Sequence, residues 1–153
     1  MKAVIIAATV LLAVSWLSSQ ARFTDNGDGT VSDNGTGLVW QKCSRGQDAT
    51  TCSGTATTAN WQTALQYCRN LTLDDRSWRL PSVNELGSIV DYSVENPSIN
   101  TAFFPNTESL YYWSSTTWGD SKTHAWEFYF YLGIISGNVK TADDYVRCVA
   151  DGP

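Results

Sequence analysis

The chain has 153 residues and a formal net charge of −5, with 16% charged and 12% aromatic side chains. The length suits one domain. Low charge with many aromatics excludes a disordered chain, and the acidic balance excludes the phosphate-neutralising surface on which nucleic-acid binding rests.

Residues 1–21 read as a secretory signal peptide. Lys2 supplies the positive start, and Ala3 to Leu17 form an apolar run broken only by Thr9 and Ser15. Ser19 and Ala21 put small residues at −3 and −1 before Arg22. The run is shorter than the roughly 20 residues that span a bilayer, and no second such run follows. No cysteine lies near the cleavage point, the first being Cys43. The expected product is a single domain, 22–153, without a membrane span, secreted, periplasmic or held at the cell surface. It keeps 9 basic and 15 acidic side chains, a net charge of −6.

Phe23 to Gln41 predicts a short meander. Asn26-Gly27-Asp28-Gly29 and Asn34-Gly35-Thr36-Gly37 separate apolar-containing runs, and Asn-Gly and Asp-Gly steps tolerate the positive φ of hairpin turns. Asp25, Asp28 and Asp33 invite a calcium reading, but their spacing does not match an EF-hand loop, and turn chemistry explains them better. Residues 44–58 are a Gly/Ser/Thr-rich loop.

Four cysteines, Cys43, Cys52, Cys68 and Cys148, in an exported domain imply two disulfides and allow three connectivities. Cys43–Cys52 with Cys68–Cys148 is the favoured pairing, closing a small polar loop and tying the middle of the chain to its closing strand. Zinc is disfavoured, since there is no CxxC pair and the one histidine is His124.

A helix is expected over 59–71, where Trp61, Ala64, Leu65, Cys68 and Leu71 form one apolar stripe. A second begins at Ser82, because Ser82-Val83-Asn84-Glu85 has the form of a capping box, with Val83, Leu86, Ile89 and Val90 buried. Arg79 and Glu85 suggest an ion pair ordering that helix. Residues 93–110 read as an irregular excursion pinned by Phe103 and Phe104. Tyr111 to Thr116 is β-prone. His124 to Leu132 alternates, with Trp126, Phe128, Phe130 and Leu132 on the inner face and Glu127, Tyr129 and Tyr131 outward. Residues 133–137 read as a turn, and 144–150 as a closing strand with Val146 and Cys148 inward. Trp40, Trp61, Trp78, Trp113 and Trp126 are assigned to the core. Strands, two helices, an excursion and strands again make an α+β domain of two helices packed on antiparallel strands.

Several fragments in order carry a resemblance. They are Phe23-Thr24-Asp25-Asn26-Gly27-Asp28-Gly29-Thr30-Val31 with Thr36-Gly37-Leu38-Val39-Trp40-Gln41; Trp78-Arg79-Leu80-Pro81-Ser82 with Glu85-Leu86; Tyr112-Trp113-Ser114-Ser115-Thr116; Ala125-Trp126; and Val146-Arg147-Cys148-Val149. Together they resemble the family named for the C-terminal domain of Legionella collagen-like adhesins, over nearly all of 22–153. The resemblance implies a disulfide-stabilised variant of the C-type lectin-like fold, in which a bond from the first helix to the closing strand is common. The Arg79 to Glu85 and Arg147-Cys148-Val149 stretches also resemble the formylglycine-generating-enzyme-like branch of that fold. The collagen-like stalk is absent, so a stand-alone module is expected. The Glu-Pro-Asn tripeptide of sugar-binding C-type lectins is absent too.

An enzyme is not expected. No Ser/His/Asp set can be assembled from spacing, His124 reads as a strand-edge residue, and the cysteines are assigned to disulfides. Asp74/Asp75 and Asp143/Asp144 read as solvated turn acids, whereas a glycosidase needs two acids facing across a cleft. Binding is the expected function, through Trp118, Asp120, Lys122, Tyr129, Tyr131, Asn138, Lys140, Asp143 and Asp144. Aromatic faces stack on sugars and paratope-like surfaces use Tyr with small polar residues. The partner expected is a glycan, sulfated polysaccharide included, in a role of adhesion; a protein receptor, bound by a diversified surface, is the alternative. A polyanion would need Lys122, Lys140 and Arg45 to cluster on an acidic domain. No cofactor is required; the acids admit calcium, but no contiguous ligand string points to it. The sequence leaves oligomeric state open, a homo-oligomer included.

Overall fold

The computed structural model describes residues 21–152; of the expected signal peptide only Ala21 falls within them. One antiparallel sheet is ordered β1-β2-β3-β7, from β1 (Phe23–Asp25), β2 (Thr30–Asp33), β3 (Leu38–Gln41) and β7 (Val149–Asp151). The aspartates between these strands make turns. Asp25 Oδ1 accepts from the Gly27 amide at 3.0 Å, and Asp28 Oδ1 from the Thr30 amide at 2.9 Å and hydroxyl at 2.6 Å. Asp33 Oδ1 accepts from the Gly35 amide at 3.0 Å. Such side-chain-to-backbone bonds replace the ladder where the chain reverses.

Helix α1 (Trp61–Arg69) is shorter than the expected 59–71. Its start is set by Asn60, whose side chain caps the Thr63 amide at 2.9 Å, while Ala59 exchanges backbone bonds with Asp144. Both disulfides form as paired from the sequence, Cys43–Cys52 and Cys68–Cys148. Helix α2 (Val83–Ser88) starts in the expected capping box. Glu85 also takes both guanidinium arms of Arg79 at 2.8 and 2.7 Å, and Arg79 reaches Asp151 at 2.9 Å. The helix is thereby tied to β7. Burial works to raise the Glu85 carboxyl, but Arg79 and Ser82 together hold it below the usual value.

A second antiparallel sheet has the order β4-β5-β6, with β4 (Tyr111–Thr117), β5 (His124–Tyr129) and β6 (Ile134–Val139). Here the expectations need correction. Residues 133–137 are not a turn. The reversal is complete at Gly133, which takes φ +70°, and β6 starts at the next residue. Of the expected strand 144–150, only Val149 and Ala150 belong to a strand. Asp144 and Tyr145 make single bridges to Ala59 and Tyr112.

Two buried clusters fill the interior. Trp40, Leu86, Ile89, Phe104, Tyr112, Phe128 and Phe130 form the centre of one. Trp78, Trp113, Ala125, Val146 and the Cys68–Cys148 bond belong to the other. Trp61 and Trp126, assigned to the core from sequence, are only half-buried. Trp61 packs against the second cluster, with its indole N–H on the Ser114 carbonyl at 2.8 Å. Arg147 is fully buried between the Phe104 and Tyr112 rings, and its Nη2 donates to Thr107 at 2.9 Å.

Candidate functional site

β5 and β6 pair in continuous register, so alternate residues of β5 face opposite sides of their sheet. Glu127 and Tyr129 share one face with Trp113 and Tyr111; Trp126 and Phe128 share the other. This division separates the residues read from sequence into three places.

The first is an aromatic shelf. Trp118 stacks on Trp126 with ring centroids 4.7 Å apart and planes at 17°, and His124 meets it edge-on at 5.9 Å. A tight loop presents it: the Trp118 amide donates to the His124 carbonyl, and the Ser121 amide to the Trp118 carbonyl. Gly137 makes room, because a Cβ there would lie 2.4 Å from the Trp118 ring. Trp118 remains 37% exposed and, with Ser121 and His124, lines a small apolar cleft of about 110 Å³. Asp120 and Lys122, both exposed, belong to the same loop.

The second place, on the opposite face, is a ladder of tyrosines. Tyr129 stacks on Tyr111 at 4.4 Å and on Tyr131 at 5.8 Å. Tyr129 is half-buried in that stack, Tyr131 exposed.

The third is an interior acid pair. Asp144 is 7% and Glu127 3% exposed. Alternation placed Glu127 outward and the binding surface was expected to include Asp144; both are instead covered, because α1 and the Ala59–Asp144 bridge close over this end of the sheet. Asn138 Nδ2 donates to Asp144 at 3.3 Å, and Glu127 Oε2 has no partner. Burial and the adjacent Glu127 carboxyl push Asp144 up to about 8. Asp143 is exposed beside it. Lys140 places its ammonium 3.9 Å from the Trp61 ring and donates to Thr117 at 2.9 Å. Among the described residues no three His, Cys, Asp or Glu side chains converge on a point that could hold a metal ion.

Residues 29–150 match the family described as the Lcl C-terminal domain. The chain belongs to that family. No curated protein matches it. In this Lcl C-terminal domain the sequence reading reached Trp118 but missed its support. Trp126 was assigned to the core, and His124 was set aside as a strand-edge residue. Its three-residue spacing to Ser121 carries a direct contact, Ser121 Oγ to His124 Nδ1 at 2.8 Å. Also missed were hollows around the 91–101 excursion. One, of about 330 Å³, is lined by residues including Glu95, Asn96 and Pro97, and another, of about 280 Å³, by Tyr92, Glu95 and Leu132 among others. No described helix is long and apolar enough to cross a membrane.

Proposed function

We propose that this chain is an exported, non-enzymatic binding module with a C-type lectin-like fold, and that it recognises glycans in an adhesive role through the Trp118 shelf. Two disulfides suit an oxidising, exported setting. The observation that carries the reading is the exposed Trp118 ring, held flat against Trp126 and Gly137 beside loop hydroxyl, carboxylate and ammonium groups. A fixed aromatic face stacks on the C–H face of a sugar at little entropic cost, and the flanking polar groups bond its hydroxyls. An uncharged glycan is favoured over a sulfated one. Arg45 is bonded to Thr57 and Thr58, and Lys140 to Thr117, which leaves Lys122 as the free cation of the three.

A second reading, recognition of a protein receptor, rests on the Tyr111–Tyr129–Tyr131 ladder. Rigid tyrosines supply contact area at low entropy cost.

The full chain, exported with its leader from a bacterial host and purified, is to be read on a glycan array with calcium and with EDTA. A selective signal reduced tenfold or more by Trp118→Ala, and kept by Tyr129→Ala, supports the shelf. A signal indifferent to Trp118→Ala, or lost only with Tyr129→Ala, overturns it. A blank array moves the assignment to the protein-binding reading.

A further inference from the structure

Natural sheet edges are blunted by shortness, charge, proline or a covering segment. The first sheet obeys this. Its edge strands β1 and β7 have three residues each, and Arg79 exchanges backbone bonds with Val149 along the outside of β7. In the second sheet β6 does not. It runs six residues, Ile134-Ile135-Ser136-Gly137-Asn138-Val139, without a charge or a proline, and Ile135 is 51% exposed.

The hydrogen-bond phase shows which groups are open. The Lys140 amide donates to the Thr123 carbonyl at 2.8 Å, so the bonded pairs running back along the hairpin are Asn138/Ala125, Ser136/Glu127 and Ile134/Tyr129. Ile135, Gly137 and Val139 therefore aim their amides and carbonyls outward. Val139 is closed off within the chain: its amide donates to Asn138 Oδ1 and its carbonyl accepts from Ala142, each at 2.9 Å. The open stretch is Ile135 and Gly137, with Ser136 between them.

We propose that β6 pairs antiparallel with β6 of a second copy about a two-fold axis at Ser136, joining two three-stranded sheets into one of six. Ile135 then exchanges both backbone bonds with the partner's Gly137, and Gly137 with the partner's Ile135; the two Ser136 residues stand directly opposite. The contact is isologous and closes at two copies.

Side chains favour a second copy over an unrelated strand. Gly137 has no side chain of its own, and the Trp118 ring lies over it. Ile135, on the same face, meets the partner's Trp118 edge across the join, twice. An unrelated strand would have to bring its own apolar side chain opposite Gly137 and its own gap opposite Ile135, which a second copy supplies at both positions. The join is short, below the roughly 1,200 Å² of standard interfaces, so exchange is reversible.

Sedimentation equilibrium of the purified full chain, from micromolar to about 1 mM, tests this. The expected result is a monomer–dimer equilibrium weakened tenfold or more by Ile135→Lys and unaffected by Leu110→Lys, an exposed site before β4. Ser136→Cys should form a symmetric disulfide dimer under mild oxidation, since opposed residues of a non-hydrogen-bonded pair lie about 4.5 Å apart at Cα. A monomer throughout the range, a trimer, or a dimer indifferent to Ile135→Lys overturns the proposal. So does the absence of the Ser136→Cys crosslink in a folded variant. Glycan binding of monomeric Ile135→Lys, read separately, keeps this outcome distinct from that of the shelf.

Discussion

Six of the eight residues of β2 and β3 are buried, whereas none of the six in β6 is. The first sheet carries its burial with covalent help: β3 runs into the Cys43–Cys52 loop, and Cys148, bonded to α1, directly precedes β7. The second sheet has no disulfide in its strands, one edge is open, and it leaves an aromatic group exposed on each face. The comparison teaches a division of labour: β2 and β3, like β4 and β5 with Tyr112, Trp113, Ala125 and Phe128 in the two cores, hold the chain together, while β6 and the loops beside it present surface. Changes to the buried strands should cost stability, and changes in β6 and its flanking loops should alter binding and association.

The sharpest way to break that division is to remove the disulfides singly. Cys68–Cys148 has a sequence separation of 80 and Cys43–Cys52 one of 9. Chain-entropy scaling gives about 4.5 and about 2.7 kcal/mol for loops of those lengths. Urea midpoints of the paired Cys→Ser variants should rank in that order; equal losses would mean that the small loop does more than close itself.

Next is the acid pair under the second sheet. Asp144 titrates at about 8 in the folded chain against 3.8 as its ordinary value. Between about pH 4 and pH 8 the folded protein therefore holds a proton that the unfolded chain has released. Stability falls as pH rises through that window, by at most about 1.4 kcal/mol per unit. Glu85 has the opposite sign: held below 4.5, it withdraws stability as pH falls past that value. The melting temperature should peak in mild acid, and Asp144→Asn should flatten its decline towards pH 8. A variant that declines as steeply as the parent would show that the pair is not its source.

Smaller again is the clamp between α2 and β7. Arg79→Gln removes the Glu85 and Asp151 contacts, but its side chain is 41% exposed. The expected loss is about 0.5–1 kcal/mol, and denaturant titration in low and high salt should show it shrinking with salt. Lys140→Met, which removes the cation over Trp61, should cost about 0.5 kcal/mol and change the tryptophan emission without altering the fold.

Features fixed by neighbours in sequence were legible. The Ser82–Glu85 box, the aspartate turns and the helix facing of Cys68 all depend on residues within a few positions of one another. Alternation failed at Glu127 because the polar-outward rule assumes one solvated face, and at that end of β5 both faces are covered. A signal for its partner was present: Asp144 shares the parity of Val146 and Cys148, which the sequence reading already placed inward. β6 was hidden because Gly133 and Gly137 resemble the two ends of a turn. Gly133 is required by its positive φ, while Gly137 answers to Trp118, nineteen positions earlier, and no local pattern encodes that contact. The residues read as a binding surface fall on two faces of the second sheet and in its interior, and that division depends on a register that sequence does not reveal.

The pairing of β3 with β7 also sets an order of events in biosynthesis. Leu38, Val39 and Trp40 find their strand partners in Asp151, Ala150 and Val149, more than a hundred residues later. While the chain is being made, β3 has no neighbour on that side and Cys68 has no Cys148 to meet. The first sheet cannot close until nearly the whole domain has emerged. A chain so arranged stays open through most of its synthesis and locks in one late step, once an oxidant can seal the long loop.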